Sequence, residues 1–224
     1  MKKKIVISLL GLCVFLGIFI FVMDWNWGEV KSEIKKTNYT TTTDSADVNK
    51  TFFTLKLFDE GNYTVSHANN DNLELLFNID GLKKTTGRFD DVSVNLEVKH
   101  NRKASVLSVK IKSNSIFTDN SMRDESLVSD EFFNSQKFPL ITYESDSLIP
   151  QNHQMMAYGK LNLLETTKTL NFPFDILGKT QENKQNLIGV SGSFEFDRTQ
   201  YGMPHEKGVG DVVKISFYVD FRVK

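Results

Sequence analysis

The residues able to do acid–base, nucleophilic or metal chemistry are few and scattered. His67, His100, His153 and His205 show no H-x-x-x-H or H-x-H spacing that would put two imidazoles on one metal. The one cysteine, Cys13, lies inside an uncharged apolar run, which excludes thiolate zinc sites and intradomain disulfides. There is no G-x-S-x-G, no P-loop and no G-x-G-x-x-G. Ser, His and Asp occur without a triad spacing, and His205 with Glu206 is the pair closest to a catalytic one. Three polar residues stand out as able to meet a ligand at an opening: Arg123, Arg198 and His205. Asp197 and Arg198 also form an ion pair that can brace the Tyr201-Gly202 turn, with Gly202 at positive φ. His205 sits in the loop Met203–Gly208, a segment able to gate a mouth. Net charge is −1, with signs interspersed, so the basic stripe of a nucleic-acid binder is missing. Catalysis, a metal, a cofactor and a nucleic-acid partner are not expected.

What the sequence does supply is apolar alternation, and this defines the elements. Val92, Val94, Leu96 and Val98 alternate with polar residues, His100–Lys103 turns the chain, and Leu107, Val109 and Ile111 resume the pattern. That is a hairpin with one buried face. Leu170, Phe172, Phe174 and Ile176 share a face, and Pro173 between them requires an edge or a bulge, because it cannot donate to a ladder. Phe194 and Phe196 mark a further strand. Val213, Ile215, Phe217, Val219, Phe221 and Val223 share one face of the last. Phe is abundant at 18 residues and Pro scarce at 4, which favours strands. Strands every ten to fifteen residues predict an all-β fold, a single antiparallel barrel of about eight strands whose closure removes exposed edges. One stretch, Asn120–Phe133, lacks the period of two. It predicts a short helix or long loop over one barrel end, with Ser129 as a candidate N-cap.

Three segments follow along the chain: residues 1–24, 25–50 and 51–224. Met1-Lys2-Lys3-Lys4 precedes Ile5–Met23, a run of 19 residues without charge, closed by Asp24 and followed by Trp25 and Trp27. At ~1.5 Å per residue the run nearly spans a hydrocarbon core of about 30 Å. It reads as an uncleaved signal anchor helix, a cleaved signal peptide being the alternative; the basic flank stays cytoplasmic and the rest lies outside. Residues 25–50 turn polar, with the low-complexity Thr40–Ser45, and read as a flexible spacer. The third segment is the barrel domain.

Within it, Arg123-Asp124-Glu125-Ser126-Leu127, then Phe132-Phe133, then Lys137-Phe138-Pro139-Leu140-Ile141-Thr142-Tyr143-Glu144-Ser145 closely resembles a signature of the YceI-like family. Gly159–Leu163 with Thr167-Lys168, Phe196–Met203, Gly210–Val213 and Thr86–Phe89 resemble further family segments in the same order. The resemblance covers about residues 60–224. It implies an extended lipocalin-like barrel with an elongated apolar cavity, holding an isoprenoid lipid or quinone-like amphiphile in the bacterial extracytoplasmic space. Three departures stand against it: an N-terminus that reads as uncleaved, Glu165-Thr166 in place of a second glycine, and Phe77–Asp80 where members often carry a histidine. The third leaves the headgroup open.

On this reading the ligand contacts are Phe172, Phe174, Phe194, Phe196, Phe217, Val219, Phe221, Leu96 and Phe138, with Arg198, His205 and Arg123 at the polar mouth. Period alone does not separate a hollow barrel from one whose inward phenylalanines fill it, so a structural or interaction domain with a filled core stays open beside the carrier. An enzyme acting on a bound isoprenoid is the third reading. The expected partners are the lipid and, through residues 5–23, the inner membrane of a bacterial cell envelope; a homodimer is left open.

Overall fold

The computed structural model describes residues 30–32, 34, 36–39, 53–69, 71–82 and 84–224. The anchor reading of residues 5–23 lies outside the described residues. Among the described residues eleven strands form one antiparallel sheet: β1 (Gly61–Ser66), β2 (Leu73–Gly81), β3 (Thr85–Phe89), β4 (Val92–Val98), β5 (Val106–Lys112), β6 (Ile116–Phe117), β7 (Leu140–Gln151), β8 (Gln154–Leu163), β9 (Thr166–Glu182), β10 (Gln185–Asp197) and β11 (Val209–Val223). Their order is β1-β4-β5-β7-β8-β9-β10-β11-β2-β3-β6.

The expected count of about eight becomes eleven for a physical reason. β1 runs on into β2, β3 into β4, and β5 into β6, each with a short break at a bend. Ser66 pairs with Ser93 and Leu76 with Arg88, so β1–β2 and β3–β4 together form one long, kinked hairpin. At the bend the backbone groups find other partners: Asp90 N–H donates to Ser115 O at 2.9 Å and Lys112 N–H to Asp91 O at 3.0 Å. These kinks curl the sheet around a single interior.

The bulge expected near Pro173 has a clear setting. β9 pairs with β8 from Thr166 to Phe174, and its ladder to β10 starts only at Asp175. Pro173 therefore has no ladder on its β10 side, where its missing N–H would otherwise leave a carbonyl unpaired. A register shift follows at Gly189–Val190.

The non-alternating stretch contains α1 (Ser121–Val128), capped by Asn120, whose side chain accepts from Arg123 N–H at 3.0 Å. Ser129, expected as N-cap, instead ends the helix: its N–H and its hydroxyl both donate to Ser126 O. The helix precedes the serine rather than following it.

Part of the stretch read as a flexible spacer is held against the barrel. Val30 is buried, and its N–H donates to Thr86 Oγ1 at 2.8 Å. Ser32 donates to Glu74, and Thr37 donates to Asp220 Oδ2 at 2.6 Å. Tyr39 lies on Gly189, where a Cβ would meet its ring at 2.3 Å, and its phenol donates to Asp220.

Candidate functional site: a hollow apolar lumen

Inward residues of the strands and of α1 enclose a cavity of about 950 Å³. That is at the upper end of the ~300–1,000 Å³ typical of ligand pockets. The question left open by the alternation is therefore answered: the interior is hollow.

Two local devices keep it so. Phe217 pairs across the β10–β11 ladder with Gly192, and Phe77 pairs across β2–β3 with Gly87. A Cβ on Gly192 would meet Phe217 Cζ at 2.5 Å, and one on Gly87 would meet Phe77 Cζ at 2.3 Å. The missing side chains let both rings lie along the wall instead of standing into the lumen. A ring cluster sits mid-barrel: Phe172 stacks on Phe194 at 4.6 Å and meets Tyr143 at 5.0 Å and Phe217 at 5.8 Å.

The two ends differ. One is plugged by the segment before β1: Leu55 and Phe58 are fully buried, and the Phe58 ring meets Phe221 edge-on at 5.8 Å and Tyr63 at 5.2 Å. Thr54 caps this short turn, and Arg102 Nη2 donates to Phe58 O at 3.2 Å. At the other end the lining passes to α1, the β2–β3 tip and the Lys207–Val209 loop, and two lining residues there, Leu82 and Met122, are 86% and 46% exposed. This end is the mouth.

Of the sequence-predicted contacts, Leu96, Phe172, Phe174, Phe194, Phe196, Phe217, Val219 and Phe221 all line the cavity. Phe138 does not. Its ring lies under Lys137 Nζ at 4.8 Å and its carbonyl accepts from Ser113 Oγ, because the chain is still approaching β7 there. Arg123 borders the mouth, with Nε donating to Thr118 Oγ1 at 2.8 Å and Nη2 to Thr118 O at 2.6 Å. Thr118 donates onward to Asp124, so this group ties α1 to β6. Burial lowers the Arg123 pKa from its usual value, against the nearby charges of Asp124 and Asp119.

Arg198 also borders the cavity but is 2% exposed. It donates to Pro204 O at 2.6 Å and Gly210 O at 2.9 Å and faces Asp211 at 3.6 Å. Its ion-pair partner is thus Asp211 rather than Asp197, which accepts from Thr199 N–H and Oγ1 instead. Those bonds hold the Asp197 carboxyl below its usual pKa. Gly202 has φ +92°, as the turn requires. His205 is outside the lumen, 74% exposed and against Asp211 at 2.8 Å. The loop curls its imidazole to the outer side of the Asp211 carboxylate.

Tyr143 was not among the expected contacts. It lines the lumen, and its buried hydroxyl has no hydrogen-bond partner among the described residues. Burial, then the charge of Asp146, holds this phenol well above its ordinary pKa, so it is neutral. The alternation Ile141–Tyr143–Ser145 was the signal that could have found it. Among the described residues no group of three or more His, Cys, Asp or Glu is placed to hold a metal.

The class these features define is an all-β one: an antiparallel sheet curled around a hollow apolar interior, plugged at one end and open at the other. The YceI-like domain model matches residues 58–221, and the chain belongs to that family. It is 29% identical over 117 residues to a UPF0312 protein of Shewanella denitrificans, covering 51% of this chain and 61% of that one. It is 33% identical over 79 residues to Protein YceI of Salmonella arizonae, covering 35% and 41%. The matched stretches thus span less than two thirds of either relative. Among solved structures, BcnA of Burkholderia cenocepacia superposes with TM-score 0.59 at 16% identity, over 70% of this chain and 98% of that one. A polyisoprenoid binding domain from Saccharophagus degradans superposes at 0.56 and 13% identity, over 74% and 100%. At such identities the likeness is one of fold.

Proposed function

We propose that this chain is a non-catalytic carrier that holds a long-chain isoprenoid lipid, a polyprenyl or quinone-like amphiphile, inside its barrel. The single observation that carries the reading is the lumen, about 950 Å³ and lined almost wholly by aliphatic and aromatic side chains. Each buried methylene contributes ~0.8 kcal/mol, so ten supply about 8, near the ~8.2 of micromolar affinity before association costs are subtracted. Tails longer than ten carbons are therefore favoured, and length matters more than tail chemistry. The relation to a domain described as polyisoprenoid binding supports the choice of lipid.

The same proposal takes the site of action to be the extracytoplasmic face of a bacterial membrane, with Ile5–Met23 as the attachment. The filled-core reading is disfavoured by the open lumen. Mass spectrometry of organic extracts from the purified protein tests the carrier directly. One long-chain lipid in near-stoichiometric amount is expected. Extracts holding only detergent or buffer components would refute it.

A further inference from the structure

The strap before the barrel has a direction. At Val30 it is bonded to Thr86 on β3, close to the Leu82 tip of the β2–β3 hairpin and hence to the mouth. Ser32 then reaches Glu74, and Thr37 and Tyr39 reach Asp220 at the far end of β11. The chain therefore enters the domain beside the mouth and runs away from it, toward the plugged end. Residues 24–29 separate Val30 from the uncharged run Ile5–Met23. Six residues reach at most about 20 Å even when fully extended.

The span from Val30 to the plugged end is longer than this leash. Val30 is held at Thr86, which pairs with Asn78 and through it with Lys214, and from Lys214 to Val223, opposite Asn186 beside the β9–β10 turn, β11 covers about 30 Å at ~3.3 Å per residue. With the run seated in a bilayer, the leash lets the mouth touch the surface but not the plugged end. The mouth is also where apolar side chains protrude. Leu82 is 86% exposed and Met122 46%, and both border the cavity. Leu82 N–H donates to Gly208 O at 2.9 Å, which holds the tip beside the Lys207–Val209 loop.

We propose that the barrel docks mouth-down on the bilayer that holds residues 5–23, with Leu82 and Met122 entering the headgroup layer. A lipid tail then passes between membrane and lumen without crossing water. Neither the lumen nor a fold likeness supplies this orientation; it comes from the path of the strap. It rests on the anchor in the reading above, and its test separates the two.

The test uses the full chain with Cys13→Ala, bearing a single fluorophore at Leu82→Cys or at Gln185→Cys. Gln185 is exposed at the opposite end, beside the β9–β10 turn. The proteins are reconstituted into vesicles of phosphatidylcholine and phosphatidylglycerol that carry a headgroup-nitroxide lipid. Quenching severalfold stronger at position 82 than at 185 is expected, with both proteins floating with the vesicles. Equal quenching, stronger quenching at 185, or a chain that stays behind on flotation overturns the orientation. Lipid extraction from the same preparations reports on the carrier role independently: bound lipid with no quenching difference removes the docking geometry alone.

Discussion

At the residue scale, the lumen depends on what is absent at two positions. Gly192 and Gly87 sit opposite phenylalanines, and the rings occupy the space a side chain would need. Gly192→Val should push Phe217 inward, cost about 1–3 kcal/mol through overpacking, and shorten or expel the bound tail. Lipid chain length by mass spectrometry, beside chemical denaturation, checks both halves; an unchanged lipid complement would show that the ring has another way out. Tyr143 gives the opposite sign. A buried hydroxyl with no partner costs about 1–3 kcal/mol, so Tyr143→Phe should stabilise the lipid-free protein by up to that amount. Chemical denaturation of the two extracted proteins checks the sign, and a lower midpoint for Tyr143→Phe would show that the hydroxyl has a partner. Arg198 shows why a residue's type does not reveal its work. It reads as a headgroup ligand, yet Nε and Nη1 donate to Gly210 O and Pro204 O, and Nη2 faces Asp211 at 3.6 Å with no hydrogen-bond partner among the described residues.

At the scale of elements, the strap is an addition that the polar composition of residues 25–50 concealed. Its hold is local and polar: Asp220, 4% exposed, accepts from Thr37, Tyr39 and Asn72. Burial, then the hydrogen bond to Asp220 and that carboxylate's charge, raises the Tyr39 pKa far above the ordinary phenol value. A raised pKa stabilises docking fully below the free phenol's value near ~10 and loses that contribution as pH rises beyond it. Limited proteolysis of the strap should therefore be slow at about pH 8 and faster at about pH 11, whereas Tyr39→Phe should be cleaved at similar rates at both. A wild-type rate that does not rise with pH would remove Tyr39 as the latch. Pro173 and α1 illustrate how far pattern goes. The proline's missing donor announced an interrupted ladder, and the structure places the interruption on the β10 side. The helix was legible as a break in alternation, but its cap was not, since Asn120 and Ser129 both have the chemistry and only the path of β6 selects the first.

For the whole molecule, a hollow barrel is less stable than a filled one of the same size, because wall residues lack dispersion partners on their inner side. The ligand supplies them. Loaded protein should unfold at higher denaturant than extracted protein, with a gain of about 2.7 kcal/mol at a free lipid concentration one hundred times Kd. Equal midpoints would mean that the folded barrel does not bind the lipid in preference to the unfolded chain. Kinked long strands, a plug at one end and a strap that enters at the other make one device: a tube shut at one end and open at the other.

The chain by itself determined the all-β class, the inward faces of β4, β9, β10 and β11, the family, and eight of the nine expected lumen residues. All of these follow from a period of two, which is a local property: the chain's own pleat assigns a residue to a face. Only the tertiary structure decided whether the inward rings meet or leave room, since that depends on which residue lies opposite, Gly192 under Phe217 and Gly87 under Phe77. It also decided which end is shut, that Phe138 and His205 stand outside, and that Val30 and Tyr39 lie on the barrel wall. Those outcomes depend on pairing between segments far apart in sequence, and the alternation within one segment carries no information about its partner.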